Sequence, residues 1–104
     1  MSDTAFKILT AEQWAQFKAD GVFTGAPVDH ADGYIHLSTA DQLQGTLDKY
    51  FAGQNGLVIA EINLTMLESS LKWEEARGGA LFPHIYDDLP MAAVITHRQA
   101  NADA

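Results

Sequence analysis

Two short segments set a histidine among apolar and hydroxyl-bearing residues: Asp32-Gly33-Tyr34-Ile35-His36-Leu37-Ser38-Thr39 and Phe82-Pro83-His84-Ile85-Tyr86. A strand holds such an imidazole against a wall instead of trailing it in solvent. Imidazole has an unperturbed pKa near neutral, so a fixed histidine suits proton transfer or capture of a polar ligand. Side chains alternate between the faces of a strand. Ile35 and Leu37 then share one face, and Tyr34, His36 and Ser38 share the other. The Tyr34 and Ser38 hydroxyls can fix a tautomer of His36 or join it on a ligand. The other reading is a buried histidine satisfied by backbone. His84 and Tyr86 share a parity if their segment is extended; Tyr86 then stacks on a ring, donates its O–H or packs on a sheet edge.

Three further groups have the right chemistry. Glu74, opposite Trp73 on an alternating stretch, is either solvated or looks into a cleft, and in a chain this acidic solvation is the simpler expectation. Asp29-His30-Ala31-Asp32 is expected to be turn chemistry before a glycine, or to present side chains at the mouth of a site. His30, Asp32, His36 and His84 are a conceivable His/carboxylate metal set. No H-x-x-x-H or H-E-x-x-H spacing is present, however, so no metal is assigned. A triad of Ser38, His36 and an Asp lacks the G-x-S-x-G elbow.

The elements that must position these residues follow from periodicity and punctuation. Residues 6–9 read as a first strand. Thr10-Ala11-Glu12-Gln13 is a capping box; Trp14 and Phe17 share a face of its helix, which Asp20-Gly21 ends at about Ala19. Gly25-Ala26-Pro27 and residues 29–33 read as loop, and 34–37 as strand. A second capping box, Thr39-Ala40-Asp41-Gln42, opens a helix to about Phe51 with Leu43, Leu47 and Tyr50 or Phe51 in its buried stripe. Residues 57–62, nearly continuously apolar, predict a central strand; 64–67 a helical turn; 71–75 a strand; 77–80 a loop. Pro83 predicts an edge segment or extended loop over 82–86. Residues 92–96 are a last strand, and 101–104 are expected to fray. The order predicts one α+β domain over 1–104 (core about 5–97), with two helices in the N-terminal half and a mixed, strongly curved sheet.

Composition narrows the partners. A chain of 104 residues supports a single core, and 47% hydrophobic with 19% charged residues is ordinary for a globular protein. Six basic against 14 acidic residues give −8, with no cationic cluster for nucleic acid or an anionic membrane. The absence of cysteine excludes disulfides and thiolate chemistry. The start of the chain lacks the pattern of a signal peptide and no apolar run approaches membrane-helix length, so the cytoplasm is the expected location.

The run from Asp32 to Thr39 followed by Gln42, then Leu71-Lys72-Trp73-Glu74, then Phe82-Pro83-His84-Ile85-Tyr86, resembles the DUF952 family of small bacterial proteins. Phe6-Lys7-Ile8, Trp14 and Gly25 fit the same pattern, and the likeness spans about residues 5–97. That resemblance implies a distant kinship with the ADP-ribosyltransferase fold, in which two small split sheets face a cleft for NAD. It implies that His36 with Ser38 grips the adenosine ribose, with Tyr34 and Thr39 in the same cofactor-binding set. Tyr86 or His84 stacks on nicotinamide or orients the acceptor, and Glu74 is the acidic candidate. The function so implied is binding or processing of NAD or ADP-ribose; the alternative is a non-catalytic module for a small polar metabolite or peptide. Charge opposes a dinucleotide: Lys72 and Arg77 are the cations of the motif-rich half, beside Glu74, Glu75, Asp87 and Asp88. Like charges about 6 Å apart repel by roughly 3 kcal/mol at an effective dielectric of about 20. The helix start after Thr39 offers amides to an anion.

Overall fold

The computed structural model describes residues 3–100. Its first half contains β1 (Thr4–Leu9), α1 (Ala11–Asp20), β2 (Val22–Phe23), α2 (Pro27–Asp32), β3 (Ile35–His36) and α3 (Ala40–Tyr50). Its second half contains β4 (Leu57–Asn63), β5 (Leu71–Glu75), β6 (Leu81–Ile85), β7 (Leu89–Pro90) and β8 (Val94–Ala100). Short 3-10 turns occupy Leu64–Leu67, Arg77–Gly79 and Met91–Ala93.

One three-stranded sheet has the order β1-β4-β8, with both neighbours antiparallel to β4. On one face Ala5, Leu9, Val58, Ala60 and Ile62 pack with Trp14 and Phe17 of α1. On the other, Ile8, Leu57 and Ile59 pack with Leu43 and Leu47 of α3. Covered on both sides, β4 has no polar face to present, which explains its continuous apolar sequence. The capping box of α1 is complete: Gln13 N–H donates to Thr10 Oγ1 and Thr10 N–H to Gln13 Oε1.

The second three-stranded sheet has the order β3-β6-β5, and β2 pairs separately with β7. All these pairings are antiparallel, so the sheet is split as expected but is not mixed. The two larger sheets join at a single bridge, where Phe6 N–H donates to Ser38 O (2.7 Å) and Ser38 N–H to Phe6 O (2.9 Å). His36 is the last residue of β3, two positions before that seam.

Pro83 was expected to mark an edge, yet β6 is the middle strand of its sheet. Its carbonyl accepts from Leu37 N–H at 3.0 Å, so its missing N–H also faces β3 and not β5. Leu37 lies opposite it at the end of β3, just before the chain passes to β1, so the proline forgoes only the one return bond to Leu37. Residues 29–33, expected as loop, lie largely in α2, with Pro27 in its first turn and Gly33 closing it at φ 87°. Two-residue β2 and β7 are too short to leave a periodic signal. The last strand begins at Val94 because Ala92 lies in a 3-10 turn, and it runs on to Ala100. Segment 101–104 lies outside the described residues. Among the described residues, no helix is long and apolar enough to cross a membrane.

Gly33 sits in left-handed backbone between α2 and β3, the elements that carry Asp29 and His36. A Cβ there meets nothing within 4 Å, so only the backbone conformation resists a side chain. Gly33→Ala is expected to lower stability by about 1–2 kcal/mol, read as a reduced urea midpoint at unchanged slope.

Candidate functional site

The site is built outward from Lys7. It shares the parity of Ala5 and Leu9, so β1 turns its stem into the apolar interior and leaves it 6% exposed. Asp29 of α2, 2% exposed, meets it: Lys7 Nζ lies 3.0 Å from Asp29 Oδ2 and 3.2 Å from Oδ1. The ammonium also donates to the His36 carbonyl at 3.0 Å. Asp29 accepts from the backbone N–H groups of Ala26 (2.7 Å) and His36 (3.1 Å), and its Oδ1 lies 2.7 Å from His36 Nδ1. One carboxylate thus ties β1, the start of α2, and both the backbone and the ring of His36.

Burial pushes the Asp29 carboxyl upward. The hydrogen bond from His36, the Lys7 charge and the two backbone donors outweigh it and hold the group at about 2. Burial pushes the Lys7 ammonium below its usual range, with Asp29 opposing the shift.

Above this pair, four rings converge. Tyr34 stacks on His84 at 4.0 Å between centroids and lies 4.7 Å from His36 and 5.2 Å from Tyr86. The His36 and His84 rings stand edge to face at 5.4 Å. His36 Nε2 lies 2.8 Å from Asp32 Oδ2. His84, only 3% exposed, places Nδ1 2.8 Å from Glu74 Oε1, and the same oxygen accepts from the Tyr86 hydroxyl at 2.7 Å. The expected solvated Glu74 is therefore corrected: it bonds His84 of β6 and Tyr86 just beyond that strand. Hydrogen bonds from His84 and Tyr86 hold its carboxyl below the usual range, and the same carboxylate pushes the Tyr86 hydroxyl up to about 12. Burial, then the charges of Asp32 and Glu74, raises Tyr34.

His36, His84 and Asp32 line one end of a cleft of about 410 Å³ between the two sheets. Its walls are largely apolar, from Phe6, Ile8, Val28, Phe51 and Phe82. Ser38 lines it too, with Oγ 2.9 Å from Thr46 Oγ1 and not on His36. Tyr34, Tyr86 and His30 line a shallower acidic hollow with Asp29, Asp87 and Asp88. Thr39 is not among the lining residues: it precedes α3, and Gln42 Oε1 takes its N–H at 3.0 Å. Among the described residues, no three His, Asp or Glu side chains are grouped to hold a metal ion.

His36, His84, Tyr34, Tyr86 and Glu74 are brought together as their parities suggest. Sequence reasoning gave Lys7 no role and read Asp29 as turn chemistry or a side chain at the mouth of a site, not as the buried anchor of His36. The signals were a lysine sharing a strand face with Ala5 and Leu9, and an aspartate three residues after Ala26 in a proline-led turn.

Residues 8–97 match the family described as "Protein of unknown function (DUF952)". The chain belongs to this family. Among solved structures, the DUF952 fold here is similar to the crystal structure of protein CC0527 from Caulobacter crescentus. The identity is 44% and the TM-score 0.89, over 92% of this chain and 84% of that one. The solution structure of CC0527 matches at 43% identity and TM-score 0.86, over 99% and 89% of the two chains. A comparison with curated proteins gives no match.

Two outcomes follow from the electrostatics. Asp29 ionises lower when folded, so its stabilisation is present above pH 4 and is lost as pH falls toward about 2. It amounts to roughly 2 kcal/mol. Asp29→Asn strands the buried ammonium and is expected to cost about 3–5 kcal/mol at pH 7 and flatten that acid limb, measured by urea unfolding at each pH. Glu74→Gln removes the acceptor charge, so the Tyr86 ring-carbon titration should fall from about 12 toward the ordinary value of 10.0, followed by tyrosine-selective NMR.

Proposed function

We propose that the cleft is a nucleotide site in which this DUF952 protein binds or processes NAD or ADP-ribose in the manner of an ADP-ribosyltransferase. The observation that carries the reading is the convergence of His36, His84, Tyr34, Tyr86 and Glu74 where two three-stranded sheets meet. In this reading His36 takes ribose hydroxyls in the cleft, and the base extends to the Tyr34 and Tyr86 rings of the adjoining hollow. Glu74, bonded to His84 and the Tyr86 hydroxyl, is the acidic group behind them. The acidity that opposed a dinucleotide acquires a use here. Glu74, Asp32, Asp87 and Asp88 favour a cationic nicotinamide and the positive charge that grows on ribose as its glycosidic bond breaks. The diphosphate must then lie toward solvent, because Lys7 is committed to Asp29 and Lys72 lies over the Tyr86 ring at 4.6 Å. Screening weakens charge repulsion in that position.

The apolar walls favour a second reading, a module that holds a small ligand with a flat apolar body and does no chemistry on it. One titration separates these readings. Tag-free, nitrogen-labelled protein is followed by NMR with NAD, ADP-ribose or nicotinamide, and again as His36→Ala. Shifts at His36, Ser38, His84 and Tyr86 that vanish in the variant are expected. No shifts at millimolar ligand would overturn the nucleotide reading, and binding without turnover of NAD would favour the module.

A further inference from the structure

Each ring nitrogen of His36 faces a carboxylate of α2: Nδ1 meets Asp29 at 2.7 Å and Nε2 meets Asp32 at 2.8 Å. A neutral imidazole offers one donor and one acceptor, and an ionised carboxylate only accepts. Asp29 is fully engaged as an acceptor, taking the Ala26 and His36 amides and the Lys7 ammonium besides the ring. Nδ1 therefore holds a proton. A ring with that proton alone would set the Nε2 lone pair against an Asp32 oxygen at 2.8 Å, so a second proton must lie between them.

We propose that Asp29, His36 and Asp32 form a proton-donating centre. Asp29 is the positioning residue, and the proton between His36 Nε2 and Asp32 is the one presented to a molecule in the cleft.

The two carboxylates differ as these roles require. The Asp29 side chain is 2% exposed and fixed from several directions; the Asp32 side chain, at the end of α2, is 47% exposed. His36 and Asp32 line the cleft, whereas Asp29 sits behind the ring. Asp32 can swing into solvent when an incoming oxygen or nitrogen takes its place on Nε2. The step is a simple transfer. The Nε2–H bond breaks with its electron pair staying on nitrogen, and the ligand atom's lone pair forms the new bond to hydrogen. The ring is left neutral with its proton on Nδ1, and water restores the second one. The groups facing the ring are Asp29 and Asp32 from α2, the Lys7 ammonium from β1 at its carbonyl, and the Tyr34 and His84 rings. An aromatic neighbour such as Tyr34 favours the charged imidazolium. The substrate class is a small molecule with an apolar body for the Phe6–Ile8–Phe51 wall and a basic oxygen or nitrogen at the His36 end.

This role goes beyond the nucleotide reading, which uses His36 only to bind hydroxyls. Its test needs no nucleotide. Long-range proton–nitrogen NMR spectra of histidine-labelled protein are recorded from about pH 5 to 9 on wild type, Asp32→Asn and Asp29→Asn. At the acid end wild type is expected to show protons on both His36 nitrogens, and as the pH rises Nδ1 keeps its proton after Nε2 loses its own. Asp32→Asn should lose the Nε2 proton at a lower pH than wild type, and Asp29→Asn should release the ring into the other tautomer. A neutral wild-type ring protonated on Nε2, or an Asp32→Asn spectrum indistinguishable from wild type, would overturn the proposal. If Asp29→Asn does not fold, the other two proteins still decide. The expected spectra beside a silent nucleotide titration would remove the nucleotide reading alone.

Discussion

The structure around the cleft depends on one buried ion pair, Lys7 with Asp29. Desolvating two charges costs several kcal/mol per ion, and apolar replacements of similar volume are often neutral or stabilising. Stability alone therefore does not account for the pair. Its effect is positional: from a single carboxylate, bonds reach the Ala26 amide at the start of α2 and the amide and ring of His36. From the ammonium, another reaches the His36 carbonyl. The histidine is thus fixed from behind, while its other nitrogen meets Asp32 at the lining of the cleft.

The opposite side of the cluster is organised by different means. His84 is almost wholly enclosed on the middle strand of its sheet, stacked under Tyr34 and bonded to Glu74 across the β5–β6 pair. Here ring stacking and a half-exposed carboxylate replace the interior ion pair. His36 is thus held by an interaction that salt barely reaches, and the Glu74 cluster by one that solvent screens in part.

Much of this was legible before any coordinates. Both capping boxes, the continuous apolar run of β4 and the parity of Tyr34 with His36 are local signals, and each led to its proper element. His84 and Tyr86 likewise share a parity, and both bond Glu74, a partner the parity did not name. Besides the short helix α2, read locally as loop, the failures around the site were non-local. Asp29 lies 22 residues from Lys7, so no window of the sequence contains both, and an aspartate near a proline and a glycine reads as turn chemistry. Pro83 reads as an edge because the rule is statistical; its place in the middle of a sheet depends on where β3 leaves, which is a property of another segment. Glu74 looked solvated because its partners are ten and twelve residues away on the next strand.

The seam between Phe6 and Ser38 has a mechanical meaning. Two sheets that share one pair of amide bonds, and whose connecting strand is only two residues long, have little slack between them. The segment from His36 to Ser38 belongs to both, so a hinge motion of one sheet against the other would have to pass through it. The His36 side of the cleft is thereby tied to both sheets at once, whereas its walls at Val28 and Phe51 stand outside that shared segment.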